Sequence, residues 1–319
     1  MRRWYDPSLL HEVTMRTVDG TWWFDPADRD MTAAILGAMA DSQAKFPVQI
    51  HAFTFMSNHY HAIYSIAEPE QLRSFMGHFH AAVARLVNDR QRRTGPVWAR
   101  RAHVVPILME PEAQLRRLRY VLGQGVRAGV ATHPRDWAGV SSTHWLLDGT
   151  ELAGAHVDRT QRALDSRNLT EPLPESDYTR QLAPKLTPLP CFDGVPSDEW
   201  RLQVNAIADE ISLEALGRPE LQQGDSPAGG VGKSPPPKKK AAAKVHAGSM
   251  ASAREYLARR KAFDVAYSDA RERQVAAAHR ATTSKRVTFV AFPLWAFPAA
   301  PPCMAPANLI RAITRSFKE

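Results

Sequence analysis

Residues 48 to 66 leave little choice of local structure. Val48 to Phe55 is a run rich in β-branched and aromatic residues, His59 to Ile66 is another, and the turn dipeptide Ser57-Asn58 separates them. Two such runs joined by a turn signal form a β-hairpin. The flanking segments must build around it. His11 to Arg16 is a short β-like run. Asp28 to about Phe46 carries Met31, Ile35, Leu36 and Met39 at helical spacing, and Pro69 to about Arg93 carries Leu72, Phe75, Met76, Phe79, Val83, Leu86 and Val87. Both are helices with one apolar face. Thr94-Gly95-Pro96 stops the second. Ala102 to Leu108 is strand-like, and Pro111, at a favoured early position, opens a helix to about Arg127.

The order is strand, helix, strand, strand, helix, strand, helix. The first six elements fit an α+β, ferredoxin-like split unit: one antiparallel sheet with helices on one face. The seventh is an addition, free to lie across the open sheet face or near its edge.

Residues 1–145 read as this compact unit. Residues 146–221 are a mixed extension, with a helical signal from Ser197, a candidate cap, to Leu216. Residues 222–248 read as a flexible linker, rich in Gly, Ser and Pro and carrying Lys238-Lys239-Lys240; such a stretch cannot bury enough apolar surface to order itself. Residues 249–319 read as a basic, Pro-rich tail with a charged helix from Ser249 to about His279, and the extension is expected to be partly disordered. Cutting the chain after about residue 222 is therefore expected to leave a folded protein.

A formal net charge of +8 permits a polyanionic partner without requiring one. Cys191 and Cys303 make neither a disulfide framework nor a zinc site, so a reducing cytoplasm is the default compartment. No apolar run follows the N-terminal charges, and the stretch Val287 to Pro302 is interrupted by Pro293 and Pro298. Neither a signal peptide nor a membrane span is expected.

The chemistry-bearing pair is His59 and His61. Residues i and i+2 of a strand point to one face, so two imidazoles there can hold one divalent cation; the plain alternative is a pair of core or surface histidines. His78 and His80 make a contrast, because in a helix they diverge by about 200° and cannot easily share a metal. Tyr120 and Gln124 lie four apart in the last helix, hence on one face. They matter only if that helix covers the His59/His61 face. Tyr60 and Tyr64 fall at strand positions that face away from the two histidines.

Several stretches resemble the single-tyrosine HUH transposases, in particular the REP-associated tyrosine transposases. Met56-Ser57-Asn58-His59-Tyr60-His61 resembles their M-P-N-H-x-H signature. Asn88-Asp89-Arg90, followed by Gly95-Pro96-Val97-Trp98-Ala99-Arg100-Arg101, resembles an N-R-R and G-x-x-W/F-x-x-R stretch. Arg119-Tyr120-Val121-Leu122-Gly123-Gln124-Gly125-Val126-Arg127-Ala128-Gly129 resembles a Y-I-x-x-N-P-V-R-A-G helix. The resemblance spans roughly residues 9 to 145. It departs at Ser57, where the family has Pro, and at Gln124-Gly125, where the REP-associated branch has Asn-Pro; Gln stands there in related insertion-sequence transposases.

The resemblance implies that His59, His61 and Gln124 ligate Mg2+ or Mn2+ and that Tyr120 is the nucleophile. The implied activity is metal-dependent cleavage of single-stranded or hairpin-flanked DNA through a covalent phosphotyrosine, with strand rejoining, by a monomer or homodimer. Activity should fall below about pH 6 as the ligating histidines take up protons. Arg85, Arg90, Arg92, Arg93, Arg100 and Arg101 are candidate phosphate contacts, against the alternative of a solvated face. Trp98 and Trp137 are candidates for base stacking or for core packing. Two other functions share these residues. One is a replication or relaxase nickase, which would usually bring a helicase module; Gly232-Lys233-Ser234 lacks the glycine spacing of a phosphate loop. The other is a non-cleaving, domesticated hairpin-binding protein, against which the intact quartet weighs.

Overall fold

The computed structural model describes residues 3–99, 101–168, 171, 173–217, 232, 243–284 and 296–297. The chain is α+β. Its centre is a four-stranded antiparallel sheet of β1 (Leu10–Arg16), β2 (Gln49–Met56), β3 (His59–Ser65) and β4 (His103–Ile107), in the spatial order β2-β3-β1-β4. With α1 (Arg29–Lys45) after β1 and α2 (Pro69–Arg90) after β3, this is the expected ferredoxin-like split unit.

Strand alternation assigns the two sheet faces. Tyr60, Ala62 and Tyr64 of β3 pack into one core with Ile35 and Met39 of α1 and with Leu72, Phe75 and Phe79 of α2. Ile63, with Leu10, Ala52 and Ile107, packs into a second core on the other face. That face is covered by α3 (Pro111–Leu122), which supplies Ala113, Leu118, Val121 and Leu122. The sequence left open whether the added helix covers the face or the edge; the apolar stripe of α3 lies over the face. Asp28 caps α1 by accepting from the Met31 backbone N–H at 2.9 Å. The helix expected from Pro111 to Arg127 is broken at Gly123, and its last turn is a separate α4 (Gln124–Arg127).

The helix expected in the extension from Ser197 to Leu216 is present. After α5 (Thr143–Asp148) and α6 (Arg159–Asn168) comes α7 (Ser197–Leu216), whose cap is Pro196 rather than Ser197. Trp200, Val204, Ala208, Ile211 and Ala215 form its buried stripe and pack outside α3. Arg119 of α3 is pinned there by Glu210 at 2.6 Å and Glu214 at 2.7 Å.

The linker expected over 222–248 must be shortened at its end; Lys238-Lys239-Lys240 lie outside the described residues, as do Cys303 and the Pro-rich stretch from Val287 to Pro293. His246 runs beside β4 in a parallel bridge with Ile107, and α8 (Met250–Ser284) follows. Tyr256, Phe263 and Tyr267 of α8 bury Trp4, Leu9 and Leu108, with Trp4 stacked on Tyr256 at 5.5 Å and on Phe263 at 5.1 Å. Burying a large apolar side chain stabilises by roughly 1.5–3 kcal/mol. A cut at about residue 222 would remove these partners of Trp4, Leu9 and Leu108. The charged helix hid an apolar stripe on one side. Among the described residues, no helix is long and apolar enough to cross a membrane.

Buried histidines set an acid limit. Burial pushes His11 down to about 4 and His80 down to about 4. Well above pH 6.5 both rings are neutral whether the chain is folded or not. Below it the unfolded chain binds protons that the folded chain refuses, so stability falls as pH falls towards 4. The pair should lose on the order of 4 kcal/mol between pH 7 and pH 5. Urea midpoints measured at those two values check this, and equal midpoints would contradict it.

Candidate active site beneath the third helix

His59 and His61 open β3 and point to the same face, with ring centroids 5.3 Å apart. Opposite them on β1 stand Arg16, paired with His59, and Thr14, paired with His61. On β2 the partners are Met56 and Thr54. Each ring has Nδ1 occupied by oxygen: His59 by Asn58 Oδ1 at 2.6 Å, His61 by Thr14 Oγ1 at 2.9 Å and Glu12 Oε1 at 3.2 Å. A carboxylate only accepts, so the proton of His61 belongs on Nδ1 and the lone pair on Nε2.

The helix α3 brings Tyr120 over this pair. Its ring lies edge-on to His61 with centroids 5.0 Å apart. Gln124, the first residue of α4, is buried, and its amide donates to the Tyr120 carbonyl at 2.8 Å. The structure thus brings His59, His61, Tyr120 and Gln124 together. Two guanidiniums flank the Tyr120 ring, that of Arg117 at 4.0 Å and that of Arg127 at 4.9 Å from its centroid. Such placements are cation–π contacts. Arg117 is tied to Glu12 at 2.6 Å. Arg127 has no ion pair among the described residues.

Burial pushes His59 down to about 3, helped by the nearby His61 and Arg16 charges and opposed by Gln124. Burial also lowers His61, against the pull of Glu12. Both rings are therefore held towards the neutral form, the form a metal ligand needs. Among the described residues, no three His, Cys, Asp or Glu side chains are arranged to hold a metal. A cation on this face would rest on two imidazoles and the Gln124 amide.

The alternative tyrosines lie elsewhere. Tyr60 and Tyr64 are fully buried on the opposite face, and burial raises both phenols well above their ordinary value. Tyr60 Oη is 2.7 Å from His80 Nε2, while His78 Nδ1 meets Ser42 Oγ at 2.9 Å. His78 and His80 thus point apart, as their helical spacing requires.

The arginines proposed for DNA do not surround Tyr120. Arg85 and Arg90 belong to α2, on the far side of the sheet, and Arg92 and Arg93 follow in its loop. Arg90 is held by Asp28 at 2.6 Å; Arg93 bonds Asn88 at 2.6 Å and lies over Trp23. Arg101 is exposed, and Arg100 lies outside the described residues. The basic residues that do share the Tyr120 face are Arg16, Arg117 and Arg127. For two of them the signal was present: Arg117 precedes Tyr120 by three and Arg127 follows it by seven, which is one helical face. Trp137 is buried and donates to the Phe55 carbonyl at 3.1 Å, and Trp98 packs on the α2 side and donates to the His80 carbonyl at 2.8 Å.

No protein-family model and no curated protein matches the chain. Among solved structures it is similar to one described as a REP-associated tyrosine transposase bound to a REP hairpin, with 16% identity over 45% of this chain and 82% of that chain and a TM-score of 0.34.

Proposed function

We propose that this protein is a metal-dependent DNA endonuclease of the transposase type, which cuts single-stranded or hairpin-flanked DNA through Tyr120 and can rejoin strands. One observation carries the reading: the Tyr120 ring lies 5.0 Å from the His61 ring, over the face that His59 shares. A nucleophile, two neutral imidazoles and an amide then converge where one phosphate could sit.

His59, His61 and Gln124 would hold the cation. Two rings with Nδ1 occupied, kept neutral by burial, fit that task, and of Mg2+ and Mn2+ the nitrogen-rich set favours Mn2+. The bound cation would polarise the scissile phosphate and offset its charge. The chain's own residues do the rest. α3 aims the Tyr120 phenol, and Arg117 and Arg127 bring positive charge to the attacking oxygen and the incoming phosphate. The phenol oxygen bonds to phosphorus as the bond to the 3′ oxygen breaks. The net result is a 5′-phosphotyrosine and a free 3′-OH, with the phenolic proton ending on the 3′ oxygen. Another 3′-OH can reverse the step and join new DNA. His59 and Tyr120 are only partly buried, and an unpaired strand, whose phosphates are accessible, suits such a site.

A labelled single-stranded DNA with a hairpin flank, incubated with the full chain and Mn2+ or Mg2+, tests this. Nicking followed by joining to a second 3′-OH strand is expected. Binding without nicking would leave a hairpin-binding protein, and nicking without joining would leave an initiator-type nickase.

A further inference from the structure

Glu12 has no role in the chemistry described so far, yet it is the hub of the site. It sits at 3% exposure on β1, beneath α3. An isolated buried carboxylate is costly, so its partners must compensate it. Three do: His61 Nδ1 at 3.2 Å and Arg117 at 2.6 Å on Oε1, and His246 Nε2 at 2.8 Å on Oε2. Burial alone would raise its pKa, but the donors His246, His61 and Arg117 outweigh that and hold it well below the usual carboxylate range.

Two of the three partners touch Tyr120. The His61 ring is edge-on to it, and the Arg117 guanidinium lies 4.0 Å from its centroid. The third comes from far along the chain. Val245 to Gly248 forms a strap beside β4, with the Leu108 N–H donating to the His246 carbonyl at 2.9 Å and the His246 N–H donating to the Pro106 carbonyl at 2.9 Å. These backbone bonds fix the His246 ring against Glu12.

We propose that Glu12 is a positioning residue that fixes the His61 ring and the Arg117 guanidinium together, and that His246 of the C-terminal strap holds Glu12 in that pose. This rests on the reading that Tyr120 and His61 act on one phosphate. Groups acting together must be held closely, since a displacement of about 1 Å can cost on the order of a hundredfold in rate. The strap thereby makes the C-terminal segment part of the site rather than an appendage.

Glu12→Gln removes the charge that balances Arg117 and endangers the fold, so the His246 variants carry the test. In the full chain, His246→Ala should slow Tyr120–DNA adduct formation at saturating hairpin by roughly tenfold. Hairpin Kd should stay within about twofold, because phosphate contacts set it. His246→Gln, whose amide can still donate to Oε2, should recover most of the rate. An Ala rate within about twofold of wild type overturns the proposal, as does equal loss in both variants with a parallel loss of hairpin binding. A second readout needs neither DNA nor metal. In 15N imidazole spectra, with the His61 signals assigned by their loss in His61→Gln, the His61 proton should reside on Nδ1. A proton on Nε2 overturns the proposal. Should wild type form no adduct, the proposed function fails, while the nitrogen spectrum still decides the link between Glu12 and His61.

Discussion

His61→Ala is expected to lower divalent-cation-dependent cleavage by roughly a thousandfold, because a cation on a reacting phosphate contributes several kcal/mol and each 1.36 kcal/mol is tenfold. The ring is buried beside Tyr120 and is the imidazole whose Nδ1 is fixed by Glu12 and Thr14. Its loss removes one of two nitrogen ligands. The fold should tolerate it, since Arg117 and His246 still compensate Glu12. Hairpin affinity at fixed salt should change by no more than a few fold, because it depends on cationic contacts to phosphate. His59→Ala should behave similarly. Single-turnover cleavage and fluorescence anisotropy separate the two effects. Cleavage that proceeds equally with chelator present would exclude the metal role.

Much of this site can be read from local pattern. The parity of β3 places His59 and His61 on one face and Tyr60 and Tyr64 on the other, because strand side chains alternate. Four-residue spacing puts Tyr120 and Gln124 together even though Gly123 interrupts the helix, since one turn separates them in either case. The element order is enough for the sheet topology. What is not legible depends on contacts between distant segments. Glu12 looks like one polar residue in a strand; its role emerges only when α3 delivers Arg117 and the strap delivers His246. The strap has no periodicity, because its order comes from bonding to the edge of β4. The arginines from Arg85 to Arg93 show the converse. They cluster in sequence, but α2 packs on the far face and Asp28 engages Arg90. Arg16 is distant in sequence from Arg117 and Arg127 and is brought to their side by the sheet. The apolar stripe of α8 was masked by the charged residues on its other sides.

Tyr120→Phe is expected to eliminate covalent attachment to DNA. The substitution removes one hydroxyl and keeps the ring, which packs edge-on to His61 between Arg117 and Arg127. Those contacts involve the ring face and edge, so they persist in phenylalanine and the fold should be retained. Tyr60 and Tyr64 cannot substitute, since both are fully buried on the opposite face and their phenols resist ionisation. The most direct measurement uses 3′-end-labelled single-stranded hairpin DNA, incubated with the full chain and Mn2+ and resolved on a denaturing gel. A labelled protein band is expected for the unaltered chain, with the modified peptide containing Tyr120, and none for Tyr120→Phe. A labelled band that persists in Tyr120→Phe would contradict the assignment of Tyr120 as the nucleophile.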